Sequence, residues 1–316
     1  MIWKAYKSLR NSGVVSINQR NADYVLKYNE RSLYPLVDNK LETKVIANKA
    51  NIAVPKLYFT VTTEHDIPLL ESALMQYQDF AIKPACGSGG DGILVITDRV
   101  RDYFRKTNGA LLKYSDIAHH LSNILSGMHS LGGHADCAII EYRVKVDPVF
   151  SQISYQGVPD IRIITLLGYP VMGMLRLPTR LSDGKANLHQ GAIGVGLDLA
   201  TGKTLGGVWH NETIDFHPDT MHDIAGVQIP YWDQVLDIAA RCYDLTGLGY
   251  IGVDIVLDSE QGPLMLELNA RPGLNIQIAN REGLGKRLAQ IEAILEKHPD
   301  PADRIAFIKS AFARSV

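Results

Sequence analysis

The run "FAIKPACGSGGDGILVIT", Phe80 to Thr97, carries the pattern G-x-G-x-x-G at Gly87, Gly89 and Gly92. A dinucleotide-binding turn needs a strand, these glycines, then a helix whose N-terminus meets the pyrophosphate, and an acidic residue about twenty positions on. Here "ILVIT" follows the glycines; it is apolar and β-branched, with no helix cap. Asp102, in "RVRDYFRK", does not end a second strand. The order is strand, loop, strand, which excludes a doubly wound nucleotide fold, and the absence of G-K-[ST] excludes a Walker A loop. A glycine hairpin can still turn successive backbone N–H groups toward an anion, as the flap over ATP does in protein kinases. Lys83 lies among apolar strand residues, where a charge requires a partner, and would offer a phosphate its charge. The plainer reading is a mobile surface hairpin.

Outward from this loop, the first forty residues read as helical and polar. "DNKLETKVIANKANIAVP" reads as a helix with Asp38 as N-cap and Leu41, Val45 and Ile46 at helical spacing. "DIPLLESALMQYQ" is a short helix opened by Asp66 and Pro68, and "CAIIEYRVKV" a buried strand that turns polar at Glu141. Three hairpins follow: "DIRIITLL" and "VMGMLRLPT" about a Gly-Tyr-Pro turn, "GAIGVGLDLATGKTLGGVW" about Thr201-Gly202, and "GYIGVDIVLDSEQGPLMLELNARPG". "IPYWDQVLDIAARCYDLTG" is a helix closed by Gly247. Such alternation of hairpins and helices gives an α+β protein with mostly antiparallel sheets.

The third hairpin carries the strongest chemistry. Glu267 and Asn269, at i and i+2, share one strand face. A symmetric hairpin with its turn centred on Ser259 to Gln261 puts Asp254 roughly opposite Glu267. Facing carboxylates destabilise a sheet unless a cation lies between them, and two carboxylates with an amide oxygen suit Mg2+. Arg271 falls on the same face beside the acids. Simple alternation on a solvated face is the plainer alternative. Arg162 and Arg176 flank the Gly-Tyr-Pro turn at nearly equal distances, so they are expected opposite one another with a phosphoryl group or substrate carboxylate between them; independently solvated arginines are the alternative.

Net charge of -2 excludes nucleic-acid binding by bulk electrostatics, and no apolar run would cross a bilayer. "MIWKAYKSLRNSG" reads as a first helix with Trp3 and Tyr6 inward, not as a signal peptide. Cys86, Cys137 and Cys242 are widely spaced and expected reduced, as in a cytoplasmic protein. His119, His120, His129 and His134 show no metal-ligand spacing, and Leu121, Ile124, Leu125 and Met128 beside them mark an amphipathic helix.

Taken together, "DNKLETK…NIAVP", "FAIKPACGSGGDGI", "AIIEYRV", "DIRIITLLGYPVMGMLRLP", "NLHQGAIGVGLDLATG" and "VDIVL…LMLELNARPGL" resemble the ATP-grasp ligases, and among them the RimK-type α-L-glutamate ligases, over roughly residues 38 to 278. The resemblance implies two α+β lobes clasping ATP, with residues 38–140 as the first lobe and 141–316 as the second. It implies that Lys40 and Lys83 meet ATP phosphates beneath a flap containing Gly87, Ser88, Gly89 and Gly90, and that Glu141, Tyr142, Arg143 and Val144 form the strand whose backbone meets adenine. Asp254, Glu267 and Asn269 would hold Mg2+, with Mn2+ an alternative. Arg162, Arg176 and Arg271 would steady the transferred phosphoryl group, and Asn187 and His189 would lie near the acceptor. The implied reaction joins a carboxylate to an amine, on a small molecule or peptide, through an acyl phosphate. A kinase acting on a hydroxyl and a non-catalytic nucleotide-binding regulator are the competing readings. The N-terminal domain usual in these ligases is truncated here to residues 1–37, so a homo-oligomer or a protein partner is expected to take its place. "ARPGLN" also departs from the "ASPG" common in RimK itself.

Overall fold

The computed structural model describes residues 8–87, 89–294 and 296–313. The expected inward packing of Trp3 and Tyr6 and the flap position of Ser88 lie outside the described residues. The chain divides into two compact units, Asn39–Val45 with Val54–Val144, and Met1–Asp38 with Ile46–Ala53 and Lys145–Val316.

The first unit is built on a six-stranded sheet of β1 (Leu57–Val61), β2 (Phe80–Pro84), β3 (Leu94–Val100), β4 (Tyr103–Lys106), β5 (Leu111–Leu112) and β6 (Ala138–Glu141). Their order is β1-β6-β2-β3-β4-β5, antiparallel throughout. Phe80, Ile82, Ala138 and Ile140 point into an apolar core closed by Leu70 and Leu74 of one helix and Ile117, Leu121 and Ile124 of another. The two-residue period of a strand therefore sends Lys83 and Glu141 to the other face. The register Lys83↔Ile139 and Ala81↔Glu141 makes them diagonal neighbours there. The helix Tyr114–Leu125 ends before Met128, which is 68% exposed, so the expected apolar stripe stops a turn early.

Two expectations for the helix Lys40–Lys49 are corrected. Asp38 closes the short helix Pro35–Asp38, so the capping position falls to Asn39, whose Oδ1 accepts from Leu41 N at 3.0 Å. Val45 is 47% exposed while Lys44 is 6% exposed. The helix buries a lysine where its apolar spacing pointed to a valine.

The second unit holds a seven-stranded antiparallel sheet, β7 (Asp160–Leu166), β8 (Tyr169–Leu177), β9 (Ile193–Leu197), β10 (Thr204–Trp209), β11 (Glu212–Ile214), β12 (Tyr250–Asp258) and β13 (Gly262–Asn269). The order is β11-β10-β9-β8-β7-β12-β13. The helix Trp232–Thr246 lies on the face of Met265, whose sulfur is 3.6 Å from Cys242 Sγ. Asp254 and Glu267 stand in register as expected, brought there by a register shift between Asp254 and Ile255, without which Asp254 would face Leu266. The β7–β8 hairpin differs from expectation. It turns at Leu167-Gly168, both at positive φ (51° and 78°), as a two-residue turn of the right twist demands. A register shift follows between Ile164 and Thr165, so Arg162 faces Met174 and Arg176 faces Asp160. Among the described residues, no helix is long and apolar enough to cross a membrane.

Candidate active site

In the first unit the charged residues gather on Glu141. Lys44 Nζ lies 2.7 Å from Glu141 Oε2, and Lys83 Nζ pairs with Oε1. Lys44 also donates to the Pro55 carbonyl at 2.7 Å. Burial would raise the Glu141 carboxyl, but Lys83 and Lys44 hold it below the usual carboxylate range. Burial in turn lowers the Lys44 ammonium against the pull of Glu141. Two cations sharing one buried carboxylate leave a surplus positive charge beside the glycine loop.

The loop is tied to its own unit. Lys40 Nζ donates to the Gly87 carbonyl at 2.5 Å, Gly87 bridges Ser130, and His120 Nε2 lies 2.9 Å from the Gly92 carbonyl. A Cβ on Gly92, at φ 74°, would sit 2.5 Å from the His129 ring, so glycine is required there for both backbone and space. Beyond Glu141, Tyr142 N donates to the Lys56 carbonyl at 2.8 Å and Arg143 pairs with Asp79 at 2.8 Å.

In the second unit Arg162, Asp254 and Glu267 occupy one row across β7, β12 and β13. Arg162 grips Asp254 through Nε and Nη2. Arg176 reaches Asp254 Oδ2 at 2.8 Å and grips Asp160 through Nε and Nη2. The anions beside the two arginines are the protein's own aspartates, because the shifted register places Asp160 opposite Arg176. Burial pushes the Asp160 carboxyl up to about 6 against the pull of Arg176. Arg162 and Arg176 together overrule burial at Asp254 and hold it below the usual range.

The donor set can be tested for a divalent cation from these bonds. Asp254 Oδ2 spends both lone pairs on arginines, while Oδ1 receives Arg162 alone and keeps one. Glu267 and Asn269 are partly exposed, and Asn269 Oδ1 accepts from Arg271 N at 2.9 Å. Among the described residues no three His, Cys, Asp or Glu groups gather as a metal site. Two carboxylates and an amide fit Mg2+, which fills its remaining positions with water and phosphate oxygens.

The other expected residues make local contacts of their own. Arg271 is exposed, and its guanidinium lies 4.9 Å above the Tyr34 ring. Asn187 accepts from His189 N at 3.0 Å, and the His189 side chain is exposed. Sequence reasoning missed Asp160, two residues before Arg162 on one strand face, and Lys44, one helical turn after Lys40. It also missed Asn29, which donates to the carbonyls of Tyr250 at 2.7 Å and Ala270 at 3.0 Å and accepts from Tyr250 N at 2.8 Å. That clasp fixes the start of β12 and the exit of β13. Gly252 completes it, since a Cβ there would meet Pro272 Cβ at 2.8 Å and Arg162 Cδ at 3.3 Å.

No curated protein matches this sequence. Solved structures similar to it include the ATP-grasp ligase PsnB complexed with minimal precursor, 15% identical over 83% of this chain with a TM-score of 0.45. The match covers 61% of the PsnB chain. D-alanyl-alanine synthetase A from Vibrio cholerae is 13% identical over 89% of this chain and 66% of its own, TM-score 0.45. A RimK domain ATP-grasp protein from Sphaerobacter thermophilus is 12% identical over 83% and 70%, TM-score 0.43. The sequence pattern of the sugar-transfer associated ATP-grasp family matches residues 19–293, so the chain belongs to that family and has the ATP-grasp fold, of the α+β class.

Proposed function

We propose that the chain is an ATP- and Mg2+-dependent ligase that joins a carboxylate to an amine through an acyl phosphate. The observation that carries this reading is the pair of buried charge groups. One is a carboxylate shared by two lysines, of which Lys83 lies on the strand before a glycine loop. The other is a balanced chain of two arginines and two aspartates with Glu267 next in register. The carboxylate–amine outcome rests on the sequence resemblance to RimK-type ligases. In the first unit Lys83, Lys40 and the backbone of Gly87 to Gly92 would bind the phosphates, and the backbone from Glu141 to Val144 the adenine. In the second, Asp254, Glu267 and Asn269 would hold Mg2+, whose charge offsets that of the phosphates. Arg162 and Arg176 keep N–H groups beyond those given to Asp254 and Asp160, and these would steady the phosphoryl oxygens.

A substrate carboxylate oxygen attacks the γ-phosphorus, and the bond to the β–γ bridging oxygen breaks, releasing ADP. The amine nitrogen then attacks the acyl carbon, phosphate leaves, and the nitrogen loses a proton. Positioning and charge neutralisation carry the first step. Arg271, Asn187 and His189 would attend the substrates. The carboxylate is an amino acid of the glutamate type and the acceptor a peptide or small amine; the family's association with sugar transfer adds amino sugars and sugar acids to the panel. The test is ADP release with ATP and Mg2+ across pairs of carboxylates and amines, with mass detection of the amide. Release that requires both partners supports the ligase. ADP formed with a hydroxyl compound and no amide would replace it with a kinase.

A further inference from the structure

Lys44 has no part in the roles given above, yet it is 6% exposed and sits on the same carboxylate as Lys83. Its ammonium is held from the protein side, by Glu141 Oε2 and by the Pro55 carbonyl. A lysine paired one-to-one with a buried carboxylate presents a neutral pair to any phosphate nearby. With a second lysine on that carboxylate the trio carries one net positive charge, in surroundings that screen it poorly. The helix accepts a large burden to achieve this, since it buries Lys44 and leaves Val45 in solvent.

We propose that Lys44 is a positioning residue that shares the Glu141 carboxylate so that Lys83 keeps charge for a nucleotide phosphate, without touching the nucleotide itself. The inference deepens the ligase reading and rests on its assignment of Lys83 to ATP. It separates Lys44 from a merely structural lysine by a double substitution. Removing Lys44 alone lets Glu141 neutralise Lys83; removing Glu141 as well sets Lys83 free again.

The experiment is calorimetric titration of the full chain with ATP and, separately, with adenosine. Lys44→Met is expected to weaken ATP roughly 10- to 100-fold, the range of one hydrogen bond to a charged group, and to leave adenosine unchanged. Lys44→Met with Glu141→Gln should recover most of the lost ATP affinity, and Lys44→Arg should retain it. Wild-type ATP affinity in Lys44→Met overturns the proposal while leaving the ligase reading intact. So does a parallel loss of ATP and adenosine that the double substitution does not repair. If Lys44→Met fails to fold, the double variant decides, because position 141 then carries no charge that needs Lys44; failure of that folded variant to bind ATP overturns the proposal. A wild-type chain that binds neither ligand overturns the nucleotide reading and this inference with it.

Discussion

In the unit of Asn39–Val45 and Val54–Val144, Lys44 and Lys83 share one buried carboxylate, that of Glu141. In the unit carrying β7 to β13, Arg162 and Arg176 share two, Asp160 and Asp254, and Glu267 stands next in register. The first group ends with a positive surplus, whereas in the second two arginines balance two aspartates. Buried ions must be paired, so the surplus of the first group calls for an anion, while the second is balanced within itself and offers a cation only the lone pair left on Asp254 Oδ1. Arginine suits the second group because its planar fork grips two carboxylates in fixed directions, as Arg176 does. Lysine, a compact point charge, suits the first, where several acceptors must be served from one site.

The most severe way to break this contrast is to neutralise the acids. Asp254→Asn and Glu267→Gln should each reduce ADP release below detection, yet differ in stability. Asp254→Asn strips Arg162 and Arg176 of a partner and should lower the unfolding free energy by about 3–5 kcal/mol, whereas the partly exposed Glu267→Gln should change it by about 1 kcal/mol or less. Urea denaturation beside a turnover assay separates the two. Undiminished turnover in Glu267→Gln would remove the metal role, and undiminished stability in Asp254→Asn would show that the aspartate–arginine chain is not a closed network.

Next in size is Gly252→Ala. Its methyl would press Pro272 and Arg162 and should lower stability by about 1–3 kcal/mol and turnover with it. A crystal structure showing Pro272 unmoved and full activity would count against the row depending on that glycine.

A control outside both groups is His217, fully buried, with Nε2 3.0 Å from the Pro178 carbonyl and Nδ1 accepting from Asp219 N at 3.2 Å. Both contacts suit the neutral ring, and burial lowers its pKa. Below about pH 6.5 the unfolded chain takes up a proton that the folded ring resists, so this stabilisation is present above that pH and lost as pH falls. Thermal melting from pH 8 to pH 5 should show a steeper decline in the wild type than in His217→Gln. Equal slopes would exclude His217 as the source. The smallest effect is expected at the surface pair Arg143–Asp79: Arg143→Ala should cost no more than about 1 kcal/mol, and a larger loss on denaturation would mean that Arg143 does more than pair.

Much of this was legible in the chain. Asp254 and Glu267 are expected roughly opposite one another from the turn at Ser259 to Gln261; a symmetric turn alone pairs Asp254 with Leu266, and the register shift between Asp254 and Ile255 carries it to Glu267. The same reasoning failed at Arg162 and Arg176, because Leu167, a non-glycine residue, takes the left-handed turn position and one register shift moves every later pairing. The cap moved from Asp38 to Asn39 because the preceding residues formed a helix of their own.

The sequence by itself determined that the glycine run is a loop between strands, that Glu267 and Asn269 share a strand face, and that the protein is α+β. Each depends on neighbours a few residues apart, where φ/ψ preference and side-chain period act directly. Only the tertiary structure decided which charges meet: Lys44 with Glu141 across 97 positions and Arg162 with Asp254 across 92, together with the hold of Asn29 on Tyr250 and Ala270. Those pairings come from sheet order and burial, which bring together residues whose mutual need for a partner shows only once water is excluded.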